Sequence, residues 1–218
     1  MKATVARVAR VSIATSAVLL SGCGILAPIP DTSHFFMLAP LADSSVQPAS
    51  GERLQTTVIG LGPIKLPPYL DRNEIAMRLS PTQVTYSDTD RWAEPLSVTM
   101  SRVLLQDLSR LLGTDLIVRY PWSNAAKVDY QIEIELLQFE ATKGGEAQLR
   151  ARFGIVQGGT RRPLVVRDAS FTRPGATDTA TSVTALSALL GDLSQEIASA
   201  LRQLPPPQAK PSAKRAAS

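Results

Sequence analysis

One cysteine and one histidine, Cys23 and His34, are the only side chains of their kinds in this 218-residue chain, and that scarcity limits its chemistry. A triad that relies on a histidine base, or a zinc site built on several histidines, cannot be assembled within one chain from His34 alone. His34 stands at the start of an apolar run and reads as a structural or exposed residue. The pairs Gly144-Gly145 and Gly158-Gly159 lack the spacing and the Lys-Ser/Thr ending of a phosphate loop, so they read as turn glycines. Glu133 and Glu135 fall on one face of an alternating pattern, but nothing in that pattern buries them, and a solvated face is the better reading. No enzymatic activity, cofactor or metal site is expected. What remains is Cys23 and a set of aromatic and charged residues, Tyr69, Arg72, Arg91, Trp92 and Glu94. Trp, Tyr and Arg are the types that concentrate binding energy at interfaces, so this set is a candidate partner-docking surface.

Cys23 ends a leader. Lys2, Arg7 and Arg10 form a basic start, Val11 to Leu20 an apolar stretch, and Leu20-Ser21-Gly22-Cys23 closes it. Ten weakly apolar residues rise only about 15 Å as a helix, roughly half the hydrocarbon thickness of a bilayer, so a signal peptide is expected rather than a permanent span. The closing tetrad resembles the lipobox of bacterial lipoproteins. That resemblance implies cleavage before Cys23, a diacylglyceryl group on its thiol and a third acyl chain on its amine. Once acylated, Cys23 has no thiol chemistry left, and a chain with a single cysteine has no internal disulfide to make. Gly24, where an Asp would favour inner-membrane retention in such lipoproteins, implies the outer membrane, with the domain facing the periplasm.

Removing residues 1–22 leaves 196 residues, enough for one domain with a substantial core. The formal charge of +4 drops to about −2 once the three leader cations and Lys210, Lys214 and Arg215 of the tail are set aside. The positive charge is therefore not gathered on a folded face, and no nucleic-acid partner is expected. Residues 23–33 read as a lipidated tether, 34–204 as the domain and 205–218 as a disordered, Pro-rich basic tail.

Within the domain, His34 to Leu38 predicts a first strand, Ala42 to Glu52 a loop, and Thr56 to Ile64 a second strand with Pro63 at an edge or strand end. Glu74 to Leu79 and Gln83 to Tyr86 predict a hairpin. The spacing of Leu96, Met100, Val103, Leu104, Leu108, Leu111 and Leu112 predicts a helix capped by Asp90 at its start and stopped by Gly113. Leu116 to Arg119 predicts another strand. Val128 to Leu136, Leu149 to Ile155 and Leu164 to Phe171 predict an antiparallel meander whose first acidic face pairs with a basic second one. Val183 to Leu204 carries a helical stripe through more than five turns. The expected fold class is α+β: one domain, a mixed, mostly antiparallel sheet with two long helices packed on one face.

Three segments carry a wider resemblance: Gly60-Leu61-Gly62-Pro63-Ile64, Leu66-Pro67-Pro68-Tyr69-Leu70-Asp71-Arg72, and Asp90-Arg91-Trp92-Ala93-Glu94-Pro95-Leu96. With Ala185-Leu186-Ser187 and Leu193-Ser194 of the closing helix, they resemble the ABC-type transport auxiliary lipoprotein (PqiC-like) family from about Phe35 to Leu204. Phe35-Phe36 departs from the tyrosine pair often found in that family and removes two hydroxyls. The resemblance implies an accessory subunit of a cell-envelope lipid transport system. Its partners would be a periplasmic MCE-domain protein and an inner-membrane transporter component, with phospholipid as cargo and a homo-oligomer as the assembled form. A structural envelope scaffold that assembles partners or binds peptidoglycan is the competing expectation. Asp71 and Arg72 are expected to pair with Arg91 and Glu94 near the first helix start.

Overall fold

Two phases of hydrophobic periodicity, one of two residues and one of three to four, alternate along the chain and give a curled sheet covered by helices. The computed structural model describes residues 31–42, 52–123 and 127–207. The leader, Cys23, most of the tether, most of the 42–52 loop and the basic tail lie outside the described residues. The elements are β1 (His34–Phe36), α1 (Glu52–Gln55), β2 (Ile59–Lys65), β3 (Glu74–Ser80), β4 (Gln83–Trp92), α2 (Leu96–Leu112), β5 (Ile117–Arg119), β6 (Tyr130–Thr142), β7 (Gly145–Gln157), β8 (Pro163–Ala176) and α3 (Thr179–Gln203).

The sheet branches at β6. On one side β6 pairs antiparallel with β7, which pairs antiparallel with β8, so the expected meander is present. On its other side β6 pairs parallel with β2 through Ile59↔Tyr130 to Lys65↔Glu135, and then with β3 through Met77↔Ala141 and Arg78↔Thr142. β5 extends the β2 branch in parallel, while β4 and then β1 extend the β3 branch. The sheet is mixed; its two longest ladders are antiparallel. Gly144 and Gly159 lie in the hairpin turns at φ +69° and +76°, a region open to glycine and costly for most residues.

One sheet face is apolar because β6 and β7 alternate: Ile132, Ile134 and Leu136 stand opposite Ile155, Phe153 and Ala151, all buried. Against this face packs the stripe of α3 (Leu186, Leu189, Leu190, Leu193, Ile197, Leu201), and beside it the stripe of α2 (Met100, Val103, Leu104, Leu108) packs on α3, β2 and β5 to complete the same core. Each such side chain contributes about 1.5–3 kcal/mol on burial, which makes this layer the main source of stability. Gly113 ends α2 at φ 63° with its N–H on the Ser109 carbonyl, as the sequence predicts.

Several expectations need correction. Asp90 does not cap α2; the N-cap is Pro95, and Asp90 lies inside β4, which runs on to Trp92. There Asp90 faces His34 Nδ1 at 3.1 Å and accepts from the Thr179 hydroxyl, tying the edge strand to the start of α3. Pro63 is not at the strand end but inside β2, on a stretch whose side away from β6 is an edge, the other of the two expected places. It sits where the β2–β6 register shifts between Leu61 and Ile64, past the last β5 pairing, so its missing N–H breaks no ladder. The basic face of β7 does not rest chiefly on the acidic face of β6. Arg152 stands between Glu135 and Asp168 in the register and forks onto Asp168 of β8 at 2.7 and 3.3 Å, while Glu133 takes Arg161 at 2.7 Å. Pro205–Pro207, expected as the start of the tail, border a small cavity with Tyr130, Gln157, Arg162 and Leu164, and the Tyr130 hydroxyl donates to the Pro205 carbonyl.

Candidate docking site

The β2 and β5 branch of the sheet meets the N-terminal turns of α2 in an open groove of about 350 Å³. Pro63 and Ile64 form one wall, Ser97, Val98 and Ser101 of α2 another, and Arg119 and Tyr120 the third. The apolar members are not buried elsewhere: Val98 is 41% and Tyr120 53% exposed. Local sequence sets this shape. A Cβ on Gly60 would stand 2.7 Å from the Trp122 ring, and one on Gly62 would stand 2.8 Å from Tyr120 Cβ, so only glycines let the 120–122 segment close onto β2. Tyr120 and Trp122 then meet edge to face at 5.6 Å. Gln131, buried on β6, donates to the Gly62 carbonyl at 2.9 Å and fixes the bulge.

Glu94 is close enough to Arg119 of the groove wall to respond to its charge. It takes the Arg102 guanidinium on one oxygen at 2.8 and 3.3 Å, and that bond, with a weaker contribution from Arg119, holds its carboxyl below the ordinary glutamate value. Arg119 is thus the charged member of the groove's lining, with the Glu94–Arg102 ion pair within its electrostatic reach.

The other residues singled out from sequence go to different places. Tyr69 donates to Glu140 at 2.8 Å, and Arg78 donates to the other oxygen of that carboxylate at 2.6 Å; Glu140 is buried. Burial and the neighbouring Glu140 push the Tyr69 hydroxyl well above its ordinary value. Arg72 and Arg91 do not reach Glu94. Both converge on Glu74, at 3.3 and 3.7 Å, and Arg72 also stacks 4.5 Å above the Tyr86 ring. Trp92 is only 6% exposed and belongs to the core, because β4 is longer than its pattern suggested and the alternation turns this position inward. Tyr69, Arg72 and Arg91 stay in one neighbourhood, with the Tyr86 hydroxyl donating to the Tyr69 carbonyl at 3.3 Å, whereas Trp92 joins the core and Glu94 pairs with Arg102. The groove itself was missed: its lining comes from β2, α2, β5 and the Tyr120 that follows it, and the signal for it lay in Gly60 and Gly62, since glycines inside a strand mark a bulge or a close backbone contact. Among the described residues no group of acidic, histidine or cysteine side chains is arranged to hold a metal ion, and no helix is long and apolar enough to cross a membrane.

Residues 36–198 match the model of the ABC-type transport auxiliary lipoprotein component. No curated protein matches the chain. Among solved structures, the fold is similar to protein XCC0632 from Xanthomonas campestris, with TM-score 0.64 and 16% identity over 76% of this chain and 93% of that one. It is also similar to the crystal structure of an uncharacterized protein, with TM-score 0.63 and 15% identity over 78% of this chain and 98% of the other. At such identities these likenesses establish the fold alone. The family match spans most of the chain and describes an auxiliary transport component rather than an enzyme, and on it the chain belongs to the ABC-type transport auxiliary lipoprotein family.

Proposed function

We propose that this protein is an outer-membrane-anchored periplasmic lipoprotein, the accessory subunit of an MCE/Pqi-type intermembrane lipid transport system. In this reading residues 1–22 are removed, Cys23 carries the acyl chains, 23–33 is the tether and the domain from His34 to Leu204 docks the periplasmic MCE-domain partner. Phospholipid is the cargo, and several copies assemble around the partner. The observation that carries the reading is the family match over 36–198 in a chain whose leader ends in Leu20-Ser21-Gly22-Cys23.

The groove between Pro63, Val98 and Tyr120 supplies the docking surface, since it joins exposed apolar side chains to a polar flank with net positive charge. An apolar partner segment ending in an acidic residue suits it. The test is to isolate the acylated full-length protein from membranes with its MCE-domain partner, and to compare Val98→Glu with the parent chain. A charge placed in the groove is expected to lower partner recovery at least tenfold while thermal melting stays unchanged. Equal recovery would move the docking surface elsewhere; recovery of peptidoglycan or cell-wall proteins without lipid would replace transport by a scaffold role.

A further inference from the structure

β1 presents an apolar edge that the fold leaves uncovered. Its alternation turns Phe36 and then Leu38 toward the core, with Leu38 2% exposed, and turns Phe35 and Met37 outward at 63% and 51% exposure. Among the described residues β1 lies at the end of its branch of the sheet, paired with β4 alone. Phe35 stands in register beside Arg91, whose guanidinium is partly exposed, and Arg91 shares Glu74 with the exposed Arg72. The patch is therefore a large aromatic ring and a thioether side chain bordered by two cations and one anion. That composition matches a lipid–water interface, where aromatic rings settle at headgroup depth and Arg side chains are attracted to anionic headgroups.

The length of chain before β1 says which surface is near. Phe35 is twelve residues beyond Cys23, a span of at most about 40 Å even fully extended. A short tether of this kind gives the patch an effective concentration on the order of millimolar at the bilayer holding the acyl chains, so weak contacts are populated. We propose that Phe35 and Met37 seat the β1 edge on the bilayer to which Cys23 tethers the chain, which orients the domain rather than leaving it swinging. This inference rests on the anchor reading given above.

The test uses the acylated full-length chain in vesicles of phosphatidylethanolamine and phosphatidylglycerol. Because acylation blocks Cys23, a second cysteine can be labelled alone: Phe35→Cys, Met37→Cys, or, as a reference far along the chain, Val166→Cys on β8, 64% exposed in the parent. An environment-sensitive dye at position 35 or 37 is expected to be quenched by brominated lipid at least threefold more than the dye at position 166. It should remain so when protein is diluted among the vesicles. Equal quenching at positions 35, 37 and 166, with the chain still floating with the vesicles, overturns the inference and leaves the anchor intact. Protection that disappears on dilution assigns the edge to a second copy of the chain and also overturns it. If the acylated parent floats no better than Cys23→Ala, the anchor reading fails and this inference with it. Two independent labelling positions, each checked for unchanged circular dichroism, keep a folding defect from deciding the result.

Discussion

Asp107 is an acid sealed between the two long helices. It accepts the Leu41 N–H at 2.8 Å and the Ser194 hydroxyl at 3.2 Å, and Arg110 donates to the Leu41 carbonyl at 2.8 Å, so two side chains pin Leu41, a residue of the strap that leads in from β1, and Ser194 steadies one of them. Burial pushes the Asp107 carboxyl above its ordinary value of 3.8, outweighing those hydrogen bonds. The native state then holds this proton more tightly than the unfolded chain, and stability is lost as pH rises from about 3.8 through the raised native value. Glu94 has the opposite sign: its lowered value means that stability is lost as pH falls below 4.5. A urea-melt series from below pH 3.8 up to pH 8 should therefore show that Asp107→Asn, which keeps the carbonyl acceptor, lacks the loss that sets in above 3.8 and matches or exceeds the parent at pH 8. Asp107→Ala should cost about 1–3 kcal/mol by leaving the Leu41 N–H unpaired. A residue-level reading of the sequence had no means of finding Asp107, which looks like one more polar position between the leucines of α2.

At the level of elements, the helices were the most legible. A 3.6-residue stripe survives tertiary context because both helices need only one buried face, and Gly113 and the Val183–Leu204 stripe placed α2 and α3 within a few residues. The start of α3 was not anticipated. Asp178 accepts the Thr181 N–H at 2.7 Å while the Thr181 hydroxyl takes the Asp178 N–H at 3.0 Å, a reciprocal cap with Thr in the place where Glu or Gln is usual. Asp178→Ala should lower stability by about 0.5–2 kcal/mol in denaturant melts, with little change in helix content once folded. Strand lengths were less legible than helices. β6 continues to Thr142 because a bulge between Leu136 and Gln138 shifts its phase, leaving Leu137 43% exposed and turning Phe139 inward, and an uninterrupted alternation cannot anticipate that.

For the molecule as a whole, the branch point at β6 sets both the order of stability and the place of the groove. β6 has partners along both sides and lies under the apolar stripe of α3, whereas β1 and β5 are three-residue edge strands. Amide exchange should follow that order: the β6–β7 ladder is expected to open only with global unfolding, and the amides of β1 and β5 by local opening, exchanging at least a hundredfold faster. Uniform protection across all three would mean that the branches do not move separately. The sequence by itself determined the reactive inventory, the two helical stripes and the meander, because each is a property of composition or of local period. Tertiary structure alone decided that Trp92 is core, that Arg72 and Arg91 share Glu74, and that Glu94 pairs with Arg102. Those outcomes depend on strand length and register, where a shift of one residue reverses the face a side chain occupies, and on pairings between segments far apart along the chain, for which local pattern holds no record.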